Sequence, residues 1–154
     1  MGELPPGYKL KRGSGTKEDR AQLVRFLGLA YGLDPLLPLP QYLTDTTEQF
    51  FDAQKTPLFF VTGQNQTVGC LWMGRATDQR TGNAQAYIFL VAVDPSHQRR
   101  GLGTYLLSKA QKQTKEWGLS ELTLQVYPDN QSALKLYEKL GFVVKSQLLS
   151  WTLG

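Results

Sequence analysis

Residues 96–104 read SHQRRGLGT: two arginines, then two glycines separated by one leucine, at the mouth of a helical pattern. A helix start carries unpaired N–H groups and partial positive charge, so residues of these types in this place make an anion site. Gly101 and Gly103 have no Cβ, which lets the backbone approach a ligand closely and lets one of them adopt positive φ. Arg99 and Arg100 either add charge to that site or are solvated surface cations. Farther along, Asn130 and Tyr137 are seven apart, two turns along one helix face, with the small Ala133 between them. A phenol with its ordinary pKa of about 10 suits protonation of a leaving group of similar basicity.

Nucleotide-binding loops of the two common kinds do not fit. A phosphate loop of the Walker type needs a lysine after its last glycine, and here Gly103 is followed by Thr104 and Tyr105. A dinucleotide fingerprint needs a third small residue where Leu106 stands. His97 reads as a surface residue of a polar loop, and Cys70 as a small core residue within a strand. With one histidine and one cysteine, no metal cluster of recognisable spacing exists and no metal is expected.

The bulk properties narrow the class. The chain of 154 residues is one domain's worth, with 41% hydrophobic and 19% charged residues, ordinary for a globular protein. MGELPPGYKLKRG has no apolar core of a signal peptide, and no apolar run reaches the length of a membrane span. The single cysteine excludes an intramolecular disulfide and fits a reducing cytoplasm. Net charge is +4, from 17 basic against 13 acidic residues, and the basic residues are scattered, which argues against a nucleic-acid partner.

The elements that must position these residues follow from periodicity. TKEDRAQLVRFLGLAYG places Leu23, Phe26, Leu27, Ala30 and Tyr31 on one helix face, with Thr16 and Asp19 at its start and Gly32 as its stop. GLDPLLPLPQYL is stiffened by three prolines, and a more polar helix is expected around Thr46 to Lys55. LFFVT, the turn GQNQ and TVGCLWMGR form a hairpin. AYIFLVAV is a near-continuous apolar run, ended by Asp94 and Pro95, and expected to be covered on both faces. A helix to about Trp117, the strand ELTLQV, a helix from Asn130 to Leu140 stopped by Gly141, and two short strands, FVVK and LLSWTL, complete the chain. The expected order is α, α, β, β, β, α, β, α, β, β: an α/β domain with a mixed sheet and helices on both faces.

The succession of apolar strand, Asp-Pro, Gln98-Arg99-Arg100-Gly101-Leu102-Gly103, helix, strand, Asn130, Tyr137 and Gly141-Phe142 resembles the GCN5-related N-acetyltransferase (GNAT) family. The resemblance spans roughly Pro57 to Leu153 and is strongest from Val91 to Phe142. It implies a single GNAT domain over residues 1–154, using acetyl-CoA as acyl donor and acetylating a primary amine of a small molecule or protein in a ternary complex. By the same resemblance the N–H groups from Arg99 to Thr104, with Leu102 among them, cradle the pyrophosphate of coenzyme A. Val91, Ala92 and Val93 offer main chain to pantetheine, the Val91 N–H polarises the thioester carbonyl, Asn130 and Ala133 border the cofactor, and Tyr137 is the general acid. The pattern departs in one place: the strand AQAYIFLVAV has no carboxylate to serve as base, and Gln85 and Tyr87 stand near the usual position. Asp34, Asp45 and Glu48 in the N-terminal half read as surface carboxylates, and none is assigned as base. That gap leaves a second reading, an acyl-CoA-binding sensor or interaction module without turnover. LLSWTLG, on a late apolar strand of the kind through which family members pair, implies a homodimer.

Overall fold

The computed structural model describes residues 3–154; Met1 and Gly2, at the head of the segment read above for a leader, lie outside it. The element order is β1 (Tyr8–Arg12), α1 (Lys17–Ala30), α2 (Gln41–Phe50), β2 (Leu58–Gly63), β3 (Gln66–Thr77), β4 (Ala84–Val93), a 3-10 turn (Pro95–His97), α3 (Leu102–Glu116), β5 (Leu122–Leu124) and α4 (Gln131–Lys139). The five strands form one sheet in the order β1-β2-β3-β4-β5, antiparallel except for the parallel pair β4–β5. The chain divides into two compact units, residues 1–124, which hold the whole sheet, and residues 125–154.

Alternation along β2 explains why this sheet is covered twice. Leu58 and Phe60 are buried on one face with Cys70, Trp72 and Leu90, against Leu23, Phe26 and Leu27 of α1 and Leu43 of α2. The other face carries Val61 and Gly69, where Leu106 of α3 comes within contact distance of the Gly69 position, and α3 buries Leu102, Leu106, Leu107 and Ala110. Burying one such leucine or phenylalanine stabilises by about 1.5–3 kcal/mol. The mixed sheet with helices on both faces is therefore the expected architecture. The β2–β3 hairpin turns at Gln64 and Asn65, both at positive φ (54° and 64°), the conformation of a two-residue type I′ turn.

Several elements differ from expectation. β1 has no counterpart in the expected order, because its two inward residues, Tyr8 and Leu10, are too few to stand out; it pairs with β2 from Tyr8↔Gly63 to Arg12↔Phe59. α2 runs over Gln41–Phe50 rather than around Thr46 to Lys55, with Pro40 as its N-cap. A proline ahead of the first turn needs no N–H there, so it starts this helix instead of delaying it. No strand follows Leu124 among the described residues. FVVK and LLSWTL are extended in composition only: Val143, Val144, Leu148, Leu149, Trp151 and Leu153 are each at least 80% exposed. Without a neighbouring ladder to join, an apolar segment gains nothing from strand pairing.

The first helix is held by a buried carboxylate. Thr16 caps α1 by accepting from the Asp19 N–H (3.2 Å), and Asp19 turns back to accept from the Ser14 N–H (2.8 Å) and hydroxyl (3.1 Å), with Lys11 of β1 at 3.5 Å. Burial by itself would push this carboxyl up, but the Ser14 hydrogen bonds and Lys11 outweigh it and hold it below its ordinary value. A depressed folded-state pKa contributes stability above the unfolded value of about 4, lost as pH falls through the lowered folded value. Asp19→Ala should therefore cost about 1–3 kcal/mol at pH 7. Its stability should also decline less than the parent's on acidification below about pH 4, as urea unfolding at pH 7 and pH 3 would measure.

Candidate functional site

The site begins with one extra residue in β4. Trp72 pairs with Leu90 but Met73 pairs with Ile88, so Phe89 is a bulge opposite β3. Before it, the Ala86 N–H donates to the Glu121 carbonyl (2.9 Å), towards β5. After it, the Asp94 N–H donates to the Val68 carbonyl (2.8 Å), towards β3. Strand backbone groups alternate in direction, so the bulge inverts the pattern: Leu90 and Ala92 face β3 with Asp94, while Val91 and Val93 face the other edge. On that edge β5 pairs only with Ala86, Tyr87 and Ile88 and has no register partner beyond. Val91 and Val93 thus present their main-chain groups to a gap where β4 and β5 part. The Ala92 side chain packs against the α1–α2 core.

The loop to α3 is fastened at both ends. Asp94 stops the strand, its carboxylate accepting from the Ser96 hydroxyl (2.7 Å) and N–H (3.0 Å), and these bonds hold its carboxyl below the ordinary range. Gln98 returns its Nε2 to the Val93 carbonyl (3.3 Å). Arg99 has φ +64° and Gly101 φ +82°, both left-handed. Gly101 is the N-cap of α3 and brings no side chain to the first turn, and a Cβ there would meet nothing within 4 Å. The space before this helix start is open, and the N–H groups of Leu102, Gly103 and Thr104 occupy its first turn. The Leu102 side chain is core, so this residue has only its main chain to offer.

His97 is not the surface residue expected from its polar neighbours: it is only 7% exposed. Its Nδ1 lies 2.8 Å from the Tyr8 hydroxyl, whose ring meets the imidazole edge-on at 5.8 Å, and the Arg100 guanidinium donates to the same hydroxyl at 2.7 Å. The link spans about ninety residues of sequence and depends on β1, whose signal in the sequence is only the alternation of Tyr8 and Leu10. Cys70 is fully buried core, and burial pushes its thiol well up, which makes it an inert thiol.

In the 125–154 unit, Asn130 is the N-cap of α4 rather than a member of its face, its side chain accepting from the Ala133 N–H (3.3 Å). Ala133 and Tyr137 are half-buried on the helix, and Tyr137 meets Phe142 edge-on at 5.7 Å. Burial pushes the Tyr137 phenol above its ordinary value, so it keeps its proton at neutral pH.

The α1–α2 face of the sheet carries an aromatic row beside the bulge. Trp72 and Phe89 have ring centroids 4.9 Å apart, and Phe89 and Tyr87 5.4 Å. Gly74 makes room for it, since a Cβ there would lie 2.7 Å from the Phe89 ring. The three carboxylates noted above as unassigned bases are occupied locally: Asp34 accepts from the Leu36 N–H, Asp45 from Gln41, and Glu48 pairs with Arg20 at 2.7 Å. A concavity of about 360 Å³ beside Arg20 and Glu48, lined also by Thr47 and Phe51, contains none of the residues expected to bind the cofactor or to act as general acid. Among the described residues no group of histidine, cysteine and carboxylates could hold a metal, and no helix is long and apolar enough to cross a membrane.

The chain as a whole has known counterparts. The model of the acetyltransferase (GNAT) family matches residues 27–142. N-alpha-acetyltransferase 30 of Xenopus laevis is 42% identical over 70 residues, 46% of this chain and 26% of that protein. Mycothiol acetyltransferase of Mycobacteroides abscessus is 34% identical over 130 residues, 82% of this chain and 43% of that protein. The chain thus spans less than half the length of these two relatives. In fold it is similar to an aminoglycoside acetyltransferase from an uncultured soil metagenomic sample (TM-score 0.73, 21% identity, 99% of both chains). It is equally similar to a predicted acetyltransferase with acetyl-CoA from Clostridium acetobutylicum (TM-score 0.73, 15% identity, 94% of this chain and 96% of that one). With three quarters of its length matched by the family model, the chain belongs to the GNAT family of acetyltransferases.

Proposed function

We propose that residues 1–154 act as one domain that transfers an acetyl group from acetyl-CoA to a primary amine of a small molecule or protein, by direct attack in a ternary complex. The observation that carries this reading is the gap after Ile88, where Val91 and Val93 turn their main chain outward and run directly into the open, glycine-started α3. When bound, acetyl-CoA supplies an activated thioester carbonyl and a thiolate leaving group. The N–H groups from Arg99 to Thr104 bind its pyrophosphate, with Gln98 bracing the loop against Val93. Val91 and Val93 pair with the pantetheine amides, and the Val91 N–H is the donor to the developing oxyanion. Asn130 and Ala133 border the cofactor chain, and Tyr137, whose phenol is protonated at neutral pH, gives its proton to the sulfur.

β4 has no carboxylate, so the acceptor ammonium gives its proton either to water or to another group, with none assigned as base, before the neutral amine attacks. The acceptor lies against the segment from Tyr31 to Phe51, where Leu36 is 90% exposed and Leu37 63%, and against the region between Met73 and Ala86, whose ends belong to β3 and β4 and whose loop is residues 78–83. Relatives named N-alpha-acetyltransferase, ribosomal protein bS18-alanine N-acetyltransferase and mycothiol acetyltransferase support a panel of peptide N-termini and small amines as the first acceptors to try. The absent carboxylate favours a second reading, an acyl-CoA-binding module without turnover, and thiol release over the same panel separates the two. The buried thiol and scattered charge suit a cytoplasmic protein with no nucleic-acid partner. A second copy of the chain covers the exposed apolar residues 143–153; sedimentation showing only a 17.3 kDa species at micromolar concentration would oppose that pairing.

Two substitutions test the reading. Gly101→Val places a branched side chain at φ +82°, a strain of about 1–2 kcal/mol, directly before the helix start. Coenzyme A affinity by calorimetry should fall by more than about tenfold while the fold survives; unchanged affinity removes the loop from the cofactor site. Tyr137→Phe keeps the ring against Phe142 and should leave coenzyme A affinity intact. Single-turnover acetyl transfer should drop about 10²-fold. Transfer at the parental rate would make Tyr137 a packing residue.

A further inference from the structure

We infer that Tyr8 of β1 is a positioning residue for the anionic end of the cofactor, acting through Arg100; the inference rests on the acetyl-CoA reading above. Arg100 immediately precedes the N-cap Gly101, and its side chain is exposed. A long, exposed arginine ordinarily samples many rotamers, and ordering it on a ligand costs up to about 2 kcal/mol of side-chain entropy. Here Nη1 is already held by the Tyr8 hydroxyl at 2.7 Å. A guanidinium has five N–H donors and no acceptor, so this one bond fixes the group while the rest of its fork stays available to phosphate.

The hydroxyl is in turn fixed from behind. Guanidinium N–H groups only donate, so the Tyr8 oxygen accepts from Arg100, and the same hydroxyl shares a second hydrogen bond with the His97 Nδ1 at 2.8 Å. His97 is buried and closes the 3-10 turn that follows β4. The Tyr8 ring is held too: it lies over Gly63 of β2, where a Cβ would come within 2.7 Å of it, and meets the imidazole edge-on. Sheet edge, turn and loop thus share one three-member chain, Arg100–Tyr8–His97. That chain fixes a cation ahead of the helix start before any ligand arrives, and a preordered group binds more tightly than one that must be ordered on binding.

Tyr8→Phe removes the hydroxyl and keeps the ring. Coenzyme A dissociation constants, measured by calorimetry for the parent, Tyr8→Phe, Arg100→Ala and the double variant, test the inference, with thermal melts to show that all four are folded. Pantetheine, which lacks every phosphate, is the control ligand, its affinity read by competition. The expected result is about tenfold weaker coenzyme A binding by Tyr8→Phe, the scale of one charge-assisted hydrogen bond. Arg100→Ala should weaken binding at least as much, the double variant should be little worse than Arg100→Ala alone, and pantetheine should bind all four alike. Coenzyme A binding by Tyr8→Phe at parental strength overturns the inference. So does an equal loss for coenzyme A and pantetheine, which would make Tyr8 a general support of the fold, or fully additive effects in the double variant. Failure of the parent itself to bind coenzyme A would instead overturn the functional reading, and this inference with it.

Discussion

One added residue in one strand governs what this molecule can present to a ligand. Were β4 regular past Ile88, the direction set at Ala86 would turn Leu90 and Ala92 towards β5 and lock Val91 and Val93 into the β3 ladder. Phe89 inverts that order, and β5 stops at Leu124 before it could occupy the exposed groups. A buried polar group with no partner costs a few kcal/mol, so beyond the Val93 carbonyl, which accepts from Gln98, the main-chain groups of Val91 and Val93 on this edge call for water or a ligand. The bulge needs space for its own ring, and Gly74 provides it on the neighbouring strand. A glycine in β3 and an extra phenylalanine in β4 are two halves of one device.

The loop that follows is short and heavily constrained, which suits a site that must hold charge in one place. Asp94 caps the turn, Gln98 ties back to Val93, His97 is buried, and Gly101 takes the left-handed conformation that lets α3 start with its N–H groups uncovered. Each restraint acts on backbone already committed by β4, so little ordering remains for a ligand to impose. Arg25 adds a restraint from the opposite face of the sheet: its guanidinium lies over Phe26, donates to the Thr67 carbonyl at 2.8 Å and reaches Asp94 at 3.5 Å, joining α1 to the strand end. The half-exposed setting of that last pair makes it a weak contributor to stability and a better one to geometry.

Much of this was legible in the sequence, for identifiable reasons. α1 declares itself by the spacing of Leu23, Phe26 and Leu27 and by Thr16 at its head, because helix period and capping are local properties. The β2–β3 hairpin, the apolar β4, the start of α3 at the glycine pair and α4 between Asn130 and Gly141 follow from equally local signals. So does the anion-binding character of the loop, since it depends on residue types within six positions. These features need no knowledge of what lies across the sheet.

What the tertiary structure alone decided involves partners distant in the chain. A bulge is a relation between two strands, so nothing in AYIFLVAV marks Phe89 as the extra residue until its pairing with β3 is known. His97 reads as a surface residue among Ser96, Gln98 and two arginines, yet β1, almost ninety positions earlier, covers it and supplies its hydrogen bond. β1 has too few inward residues to announce itself and is strand because β2 offers it an edge. The same rule runs in reverse for FVVK and LLSWTL, whose composition suits a strand but which have no ladder among the described residues. Local chemistry determined the helices and the character of the loop; strand pairing, which depends on contacts between remote segments, determined where the main chain opens and which side chains stand behind it.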